Sequence, residues 1–395
     1  MREKYDAVVA GHLCLDIIPR ITATPEQFQA AFGPGRLLEV GPVALSTGGS
    51  VSNTGLVLHK LGIPTRLMGK IGDDLFGQAI RQVIGGFALD LMDGMIVDPA
   101  VATSYTLIIS PPGIDRTFIH CPGANDTFGA DDVRHDALTG ARLFHFGYPP
   151  LMRRMYADGG DELTTIFCRA KETSVTTSLD LSFPDPGSAA GRADWPAILG
   201  RVLPYVDVFL PSIEETLFML RRERFDAMAR AGDGDLLPAV TPELLGDLTD
   251  ELIAMGPPIV GQKLGYRGFY LRTSDASAIA GIGRARPSDP TVWANREIWS
   301  PCFHANLVGT TGSGDSTIAG FLGALLRGLP PMDAVTAAVA VGGCNVEAAD
   351  SLGGIRSWEE TMARVSAGWP HHFLKVESPG WRFDPYRRLW YHPHP

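Results

Sequence analysis

Near-continuous apolar runs alternate with stretches of helical period along most of the chain, and this rhythm restricts its possible folds more than any other feature. The runs are Tyr5–Ile17, Arg66–Ile71, Arg142–Phe146, Ser174–Leu179, Val206–Leu210 and Pro258–Gln262. Helical period occupies Ser52–Leu61, Phe76–Ile84, Asp161–Glu172, Glu214–Arg222 and Pro242–Met255. A strand that is apolar at every position is buried on both faces, as in a parallel sheet held between helices. Strand and helix taking turns give βαβ units, so the expected class is α/β with a mainly parallel central sheet. Two segments break the rhythm. Residues 18–47 are loop-rich, and 101–123 read as a hairpin, Ser104–Ser110 and Arg116–Cys121 around Pro-Pro-Gly. Both are expected to be antiparallel and to form a small sheet capping the main domain.

Composition narrows the partners. The 395 residues fit one large domain or two to three small ones. With 34 basic against 44 acidic residues the net charge is −10, which disfavours nucleic acid and anionic membrane surfaces. No apolar stretch approaches the ~20 residues that span a bilayer. The run Ala7–Leu15 behind Arg2 and Lys4 is closed by Asp16 and reads as a buried strand rather than a signal peptide. Five scattered cysteines without a C-x-x-C pair predict neither a disulfide framework nor a zinc cluster, and a cytoplasmic location is expected. Residues Arg221–Pro257, charged and punctuated by Gly and Pro, read as a surface insertion. The tail 369–395, with Trp381, Trp390, Phe383 and Tyr386 among arginines, is expected to dock on its own domain or on a partner subunit.

The chemistry concentrates at Thr310-Thr311-Gly312-Ser313-Gly314-Asp315, followed by the apolar helical run Ile318–Leu326. Two glycines around one small residue let a ligand approach the backbone, and the helix behind them aims its unsatisfied N–H groups at that place. Asp315, in the first turn, can accept a proton from a substrate hydroxyl while amides of Gly312, Ser313 and Gly314 hold charge developing on phosphate oxygens. On its own the stretch could equally be a turn with an ordinary N-terminal Asp. No Walker P-loop, dinucleotide fingerprint or protein-kinase element occurs. A second glycine pair, Gly48-Gly49-Ser50-Val51-Ser52-Asn53, opens another helix, and Gly69-Lys70-Ile71-Gly72-Asp73-Asp74 follows the next strand. Asn53 can cap that helix or hydrogen-bond a polyol.

These two glycine elements, in this order and with Gly11–Asp16, Gly123-Ala124-Asn125 and Lys263–Gly268 between and around them, resemble the ribokinase-like (PfkB) family of carbohydrate and nucleoside kinases over roughly residues 5–365. The resemblance implies a three-layer α/β sandwich forming a single kinase domain (core about 1–17, 48–100 and 124–368) with a small β-lid from 18–47 and 101–123. It implies ATP as phosphoryl donor with Mg²⁺. By position, Asp315 is the implied base and Gly312, Ser313 and Gly314 the anion hole. Asp16, Gly48, Gly49 and Asn53 are implied to bind acceptor hydroxyls. Ser212, Lys263, Gly265, Gly268 and Asn345 are implied to lie along the nucleotide, and Glu215 to reach Mg²⁺ through water.

Several positions depart from the family pattern. Ser212 stands where Asn is usual in Asn-x-x-Glu. Gly309 replaces the acid that precedes Thr-x-Gly-Ala-Gly-Asp, which removes the ground for expecting potassium activation. Ser50 stands for Lys, and Tyr148-Pro149 follow Gly147 where some ribokinases carry a sugar-binding Glu, so ribose is not the favoured acceptor. A small sugar or sugar acid is the first expectation. A nucleoside is the alternative, with Phe28, Phe32, Tyr105 and Phe118 as candidate base platforms. A catalytically idle sugar-binding protein is a third reading. A phosphosugar would call on Arg36 and Arg116. An exposed lid edge can pair with a second copy, so a homodimer through the lid is the favoured assembly.

Overall fold

The structure is a computed structural model that describes residues 5–31, 33–112 and 117–393. Its strands are β1 Ala7–Gly11, β2 Cys14–Pro19, β3 Val43–Gly48, β4 Thr65–Met68, β5 Lys70–Gly72, β6 Ile96–Asp98, β7 Tyr105–Ile109, β8 Thr117–Cys121, β9 Leu143–Gly147, β10 Thr176–Asp180, β11 Val208–Phe209, β12 Ile259–Lys263, β13 Phe269–Thr273, β14 Glu297–Ser300, β15 Arg382–Asp384 and β16 Leu389–His392. Ten of them form one sheet in the order β15-β16-β14-β13-β12-β11-β10-β9-β1-β4. From β12 to β4 every pairing is parallel, and from β12 to β15 every pairing is antiparallel.

The all-apolar runs behave as their composition requires. In β1, Ala7 and Val9 join one core with Leu56, Ile318 and Phe321, while Val8 and Ala10 join a second with Phe144, Phe167 and Trp195. The strand therefore feeds cores on both faces, and helices Ser50–Lys60 and Ser313–Leu326 lie on one side, Asp161–Glu172 and Trp195–Val202 on the other. Each fully buried Leu, Ile or Phe contributes about 1.5–3 kcal/mol. The result is the α/β/α sandwich that the alternation predicts.

The run Tyr5–Ile17 is two strands. After Gly11 the chain leaves the main sheet and enters a four-stranded sheet ordered β3-β2-β7-β8. Gly11 makes the exit with φ 121°, and a Cβ there would lie 2.4 Å from the Gly147 carbonyl oxygen. Asn125 secures the link from below. Its amide accepts from Leu13 N–H (3.1 Å) and donates to Leu13 O (2.9 Å). The small sheet begins at Cys14 rather than residue 18. Its two hairpin pairings are antiparallel as expected, but β2 and β7 run parallel, because the intervening chain returns through the main domain before β7 starts.

Arg221–Pro257 is not wholly a surface insertion. Helix Arg222–Ala231 has no fully buried residue and packs only Phe225, Met228 and Ala229 partway onto the core, but Leu236, Leu237, Val240, Leu244, Leu245 and Leu248 form a third core with Tyr270 and Trp299. The tail docks on its own chain. β16 pairs with β14, Trp390 Nε1 donates to Leu374 O (2.9 Å), and Trp369 stacks on Phe303 at 4.5 Å. Among the described residues no helix is long and apolar enough to cross a membrane.

Candidate active site

Helix Ser313–Leu326 is buried along almost its whole length, which fixes the place of its first turn. Gly312 precedes it in the left-handed region (φ 72°), and a Cβ there would lie 2.6 Å from that of Ser351. Only glycine makes this turn without strain. Gly312, Ser313 and Gly314 line a cavity of 690 Å³, a size that holds a small ligand. The Ser313 N–H already donates to Thr310 O (3.2 Å), so within the turn it is engaged.

Asp315 lies where this cavity meets the base of the small sheet. It is 3% exposed, and its carboxylate accepts from Asn53 Nδ2 (3.0 Å), Thr54 Oγ1 (3.4 Å) and the Tyr148 hydroxyl (2.9 and 2.8 Å to its two oxygens). Burial pushes the Asp315 carboxyl above its ordinary range, and the donors from Tyr148 and Asn53 pull it back. Burial and the neighbouring Asp315 charge together push the Tyr148 phenol well up. Tyr148 holds φ 67°, a strained region for an aromatic residue that costs roughly 1–3 kcal/mol. Asn53 keeps its Oδ1 buried without a hydrogen-bond partner among the described residues.

The other sequence candidates divide. Asp16 is 7% exposed on β2, and burial pushes its carboxyl up to about 6. A Cβ on Gly48 would meet the Asp16 carboxylate at 2.4 Å, and one on Gly49 would meet His12 O at 2.4 Å. These glycines make room for β2, and Gly49 also caps helix Ser50–Lys60. Lys263, Gly265 and Gly268 line the cavity with Ser212 and Glu215. Ser212 and Glu215 form a reciprocal capping box: Ser212 N–H donates to Glu215 Oε2 (2.7 Å) and Glu215 N–H to Ser212 Oγ (3.1 Å). The serine thus caps its helix, and the glutamate is partly committed to that bond. Asn345 is not at the cavity. It is fully buried, and its Nδ2 donates to Ser351 O (2.8 Å). Phe32 and Arg116 lie outside the described residues, and Arg36 is exposed.

Asp180 was not singled out in the sequence, although it closes its apolar strand as Asp16 closes the first. Its Oδ1 pairs with Lys263 Nζ (2.5 Å), and Glu215 Oε2 stands 3.9 Å from the same nitrogen. Burial would lower the Lys263 ammonium, but Asp180 and Glu215 outweigh it and raise it above the usual lysine range. Burial also holds the Asp180 carboxyl well up, against the pull of Lys263. Its Oδ2 is buried with no hydrogen-bond partner among the described residues.

The sequence profile of pfkB family carbohydrate kinases matches residues 6–355. The chain belongs to that family. A nucleoside kinase of Methanothermobacter thermautotrophicus is 23% identical over 369 residues, covering 93% of this chain and 98% of the relative. An ATP-dependent ribose-1-phosphate kinase of Halopiger xanaduensis is 23% identical, covering 79% and 82%. The Arabidopsis thaliana ribokinase solved with ribose and ATP superposes with a TM-score of 0.66 at 18% identity, over 91% of this chain and 98% of that one, which establishes the shared fold. This pfkB family member is therefore a kinase of the carbohydrate and nucleoside class, as its two glycine signatures suggest.

Proposed function

We propose that the protein transfers the terminal phosphoryl group of ATP to a hydroxyl of a small sugar or sugar-like polyol, with Asp315 as the base. The observation that carries this reading is the position of Asp315, in the first helical turn beside Gly312 and Gly314 and bonded to Asn53 at 3.0 Å. Asp315 takes the hydroxyl proton, and the N–H groups of Gly312 and Gly314 hold charge on the phosphate oxygens. Asn53 and Asp16 orient the acceptor. Lys263 and the Gly265–Gly268 turn flank the nucleotide in the 690 Å³ cavity. The unpartnered buried oxygen of Asp180, with Glu215 near it, fits a hydrated divalent cation. Mg²⁺ held there supplies charge neutralisation to the phosphates.

The small sheet is assigned the part of a lid that closes over the acceptor and excludes water. Val43, Leu45, Phe118 and Ile119 expose about half their surface on its outer strands, which supports pairing with a second copy. A nucleoside is the second reading, favoured by the end-to-end match to a nucleoside kinase. Tyr105, seated edge-on to Phe76 at 5.3 Å, and the exposed Phe118 are among the platforms offered to a base. A panel of sugars, sugar acids, sugar phosphates and nucleosides, read by coupled ADP release, separates these acceptors. Asp315→Asn should lower turnover by about 10²–10⁴-fold with nucleotide affinity retained. Near-normal turnover in that variant removes the assigned base.

A further inference from the structure

Where the chain crosses from β1 to β2, donors suited to a soft cation converge. We propose that His12, Cys14 and His120 form a binding site for a zinc-type metal ion, with solvent completing the coordination. One ligand atom from each of the three lies within 4.8 Å of the others. His12 Nε2 and His120 Nε2 stand 3.3 Å apart. Zinc bonds of about 2.0–2.1 Å to nitrogen and oxygen and 2.3 Å to sulfur place neighbouring tetrahedral ligands about 3.3–3.6 Å apart. The two imidazole nitrogens already have that spacing, and a gap of up to 4.8 Å to the sulfur closes to it with side-chain movements of roughly 1 Å.

The surroundings complete the case. His120 Nδ1 is hydrogen-bonded to Thr106 Oγ1 at 3.0 Å, which fixes the ring and leaves Nε2 for a metal. His12 and Cys14 are 2% and 3% exposed, so the donors are sheltered from competing water. With Nε2 on the metal, His12 Nδ1 keeps its proton in a buried place that has no acceptor among the described residues, which lowers the affinity expected of the site. Gly49 leaves the space that this ring needs, since a Cβ there would come within 2.5 Å of Nδ1. Two imidazoles and a thiolate select zinc-like ions over hard Mg²⁺. On binding, Cys14 gives up its thiol proton to solvent. The cluster was invisible in the sequence because its cysteine belongs to no C-x-x-C pair and His120 comes from a strand more than a hundred residues away.

The test uses cobalt(II) as the probe on the full chain under reducing conditions, following the near-ultraviolet charge-transfer band of a cobalt–thiolate bond. The expected result is saturation at one equivalent, displacement by zinc, and loss of the band in Cys14→Ser. His120→Gln should bind at least 10-fold more weakly, and Thr106→Val about 10–100-fold more weakly. Absence of the band in the wild-type protein overturns the proposal, as does a band of undiminished intensity in Cys14→Ser. Should that variant not fold, undiminished cobalt affinity in His120→Gln, whose ring is only partly buried, overturns it equally. The readout needs neither ATP nor acceptor, so its failure is separate from any failure of the kinase reading.

Discussion

Replacing Tyr148 by Phe isolates one atom of the site. The phenol donates to both oxygens of Asp315, at 2.9 and 2.8 Å, in a buried setting. Hydrogen bonds to a charged group contribute about 1.5–3 kcal/mol. They favour the ionised carboxylate, so losing them raises the carboxyl further in the direction that burial already drives it. At 1.36 kcal/mol per pH unit, the acidic limb of the activity profile should move upward by about 1–2 pH units. The sign follows from the proposed role: as the base, Asp315 would accept a proton only when ionised, so activity should be lost as pH falls through its pKa, and Tyr148→Phe should lose it sooner. The profile of kcat/KM is the right measurement because it reports the free enzyme, in which the phenol contact exists. A limb that stays in place while kcat/KM falls equally at every pH would refute this reasoning and make the phenol an acceptor contact instead.

Lys263→Met strands Asp180 and Glu215 without their cation and should destabilise the fold by about 3–5 kcal/mol. Denaturant titration should show the deficit shrinking at acid pH, where Asp180 is neutralised by protonation, and adding Asp180→Asn should recover part of it. Gly268→Ala places a Cβ 2.0 Å from Ser300 O at φ 97° and should lower stability by more than about 1 kcal/mol, read as a lower melting temperature. The paired substitutions Leu45→Glu and Ile119→Glu put charges on exposed positions of the outer small-sheet strands, and light scattering should find a dimer for the wild-type chain and a monomer for the variant, if the proposed lid pairing holds.

The features readable from sequence are those set by local periodicity. Val8 and Val9 both had to be buried, so β1 had to lie inside a sheet covered on both faces, and the same reasoning holds for β9 through β12. The glycine turns were readable because φ 86° at Gly49 and φ 72° at Gly312 leave few alternatives. What the sequence hid depends on residues far apart in the chain. Tyr148 reaches Asp315 across 167 positions, and Lys263 reaches Asp180 across 83. The parallel β2–β7 pairing and the core beneath Leu244 and Leu248 likewise depend on chain that returns from elsewhere. Asn345 does not line the cavity itself, and an Asn near the end of a helix reads the same from sequence whether it faces a ligand or donates to the loop beyond, here Ser351.

The last strands also bear on handling the protein. β14 carries Ile298 and Trp299 in a stretch with every residue buried, and among the described residues its outer flank pairs with β16. The margin beyond is β15, three residues with Arg382 and Asp384, short and charged enough to give another chain little to template on. Polypeptide cut before residue 382 would expose the bare flank of β14, so expression of trimmed versions should end in inclusion bodies even with every residue of the catalytic pocket intact.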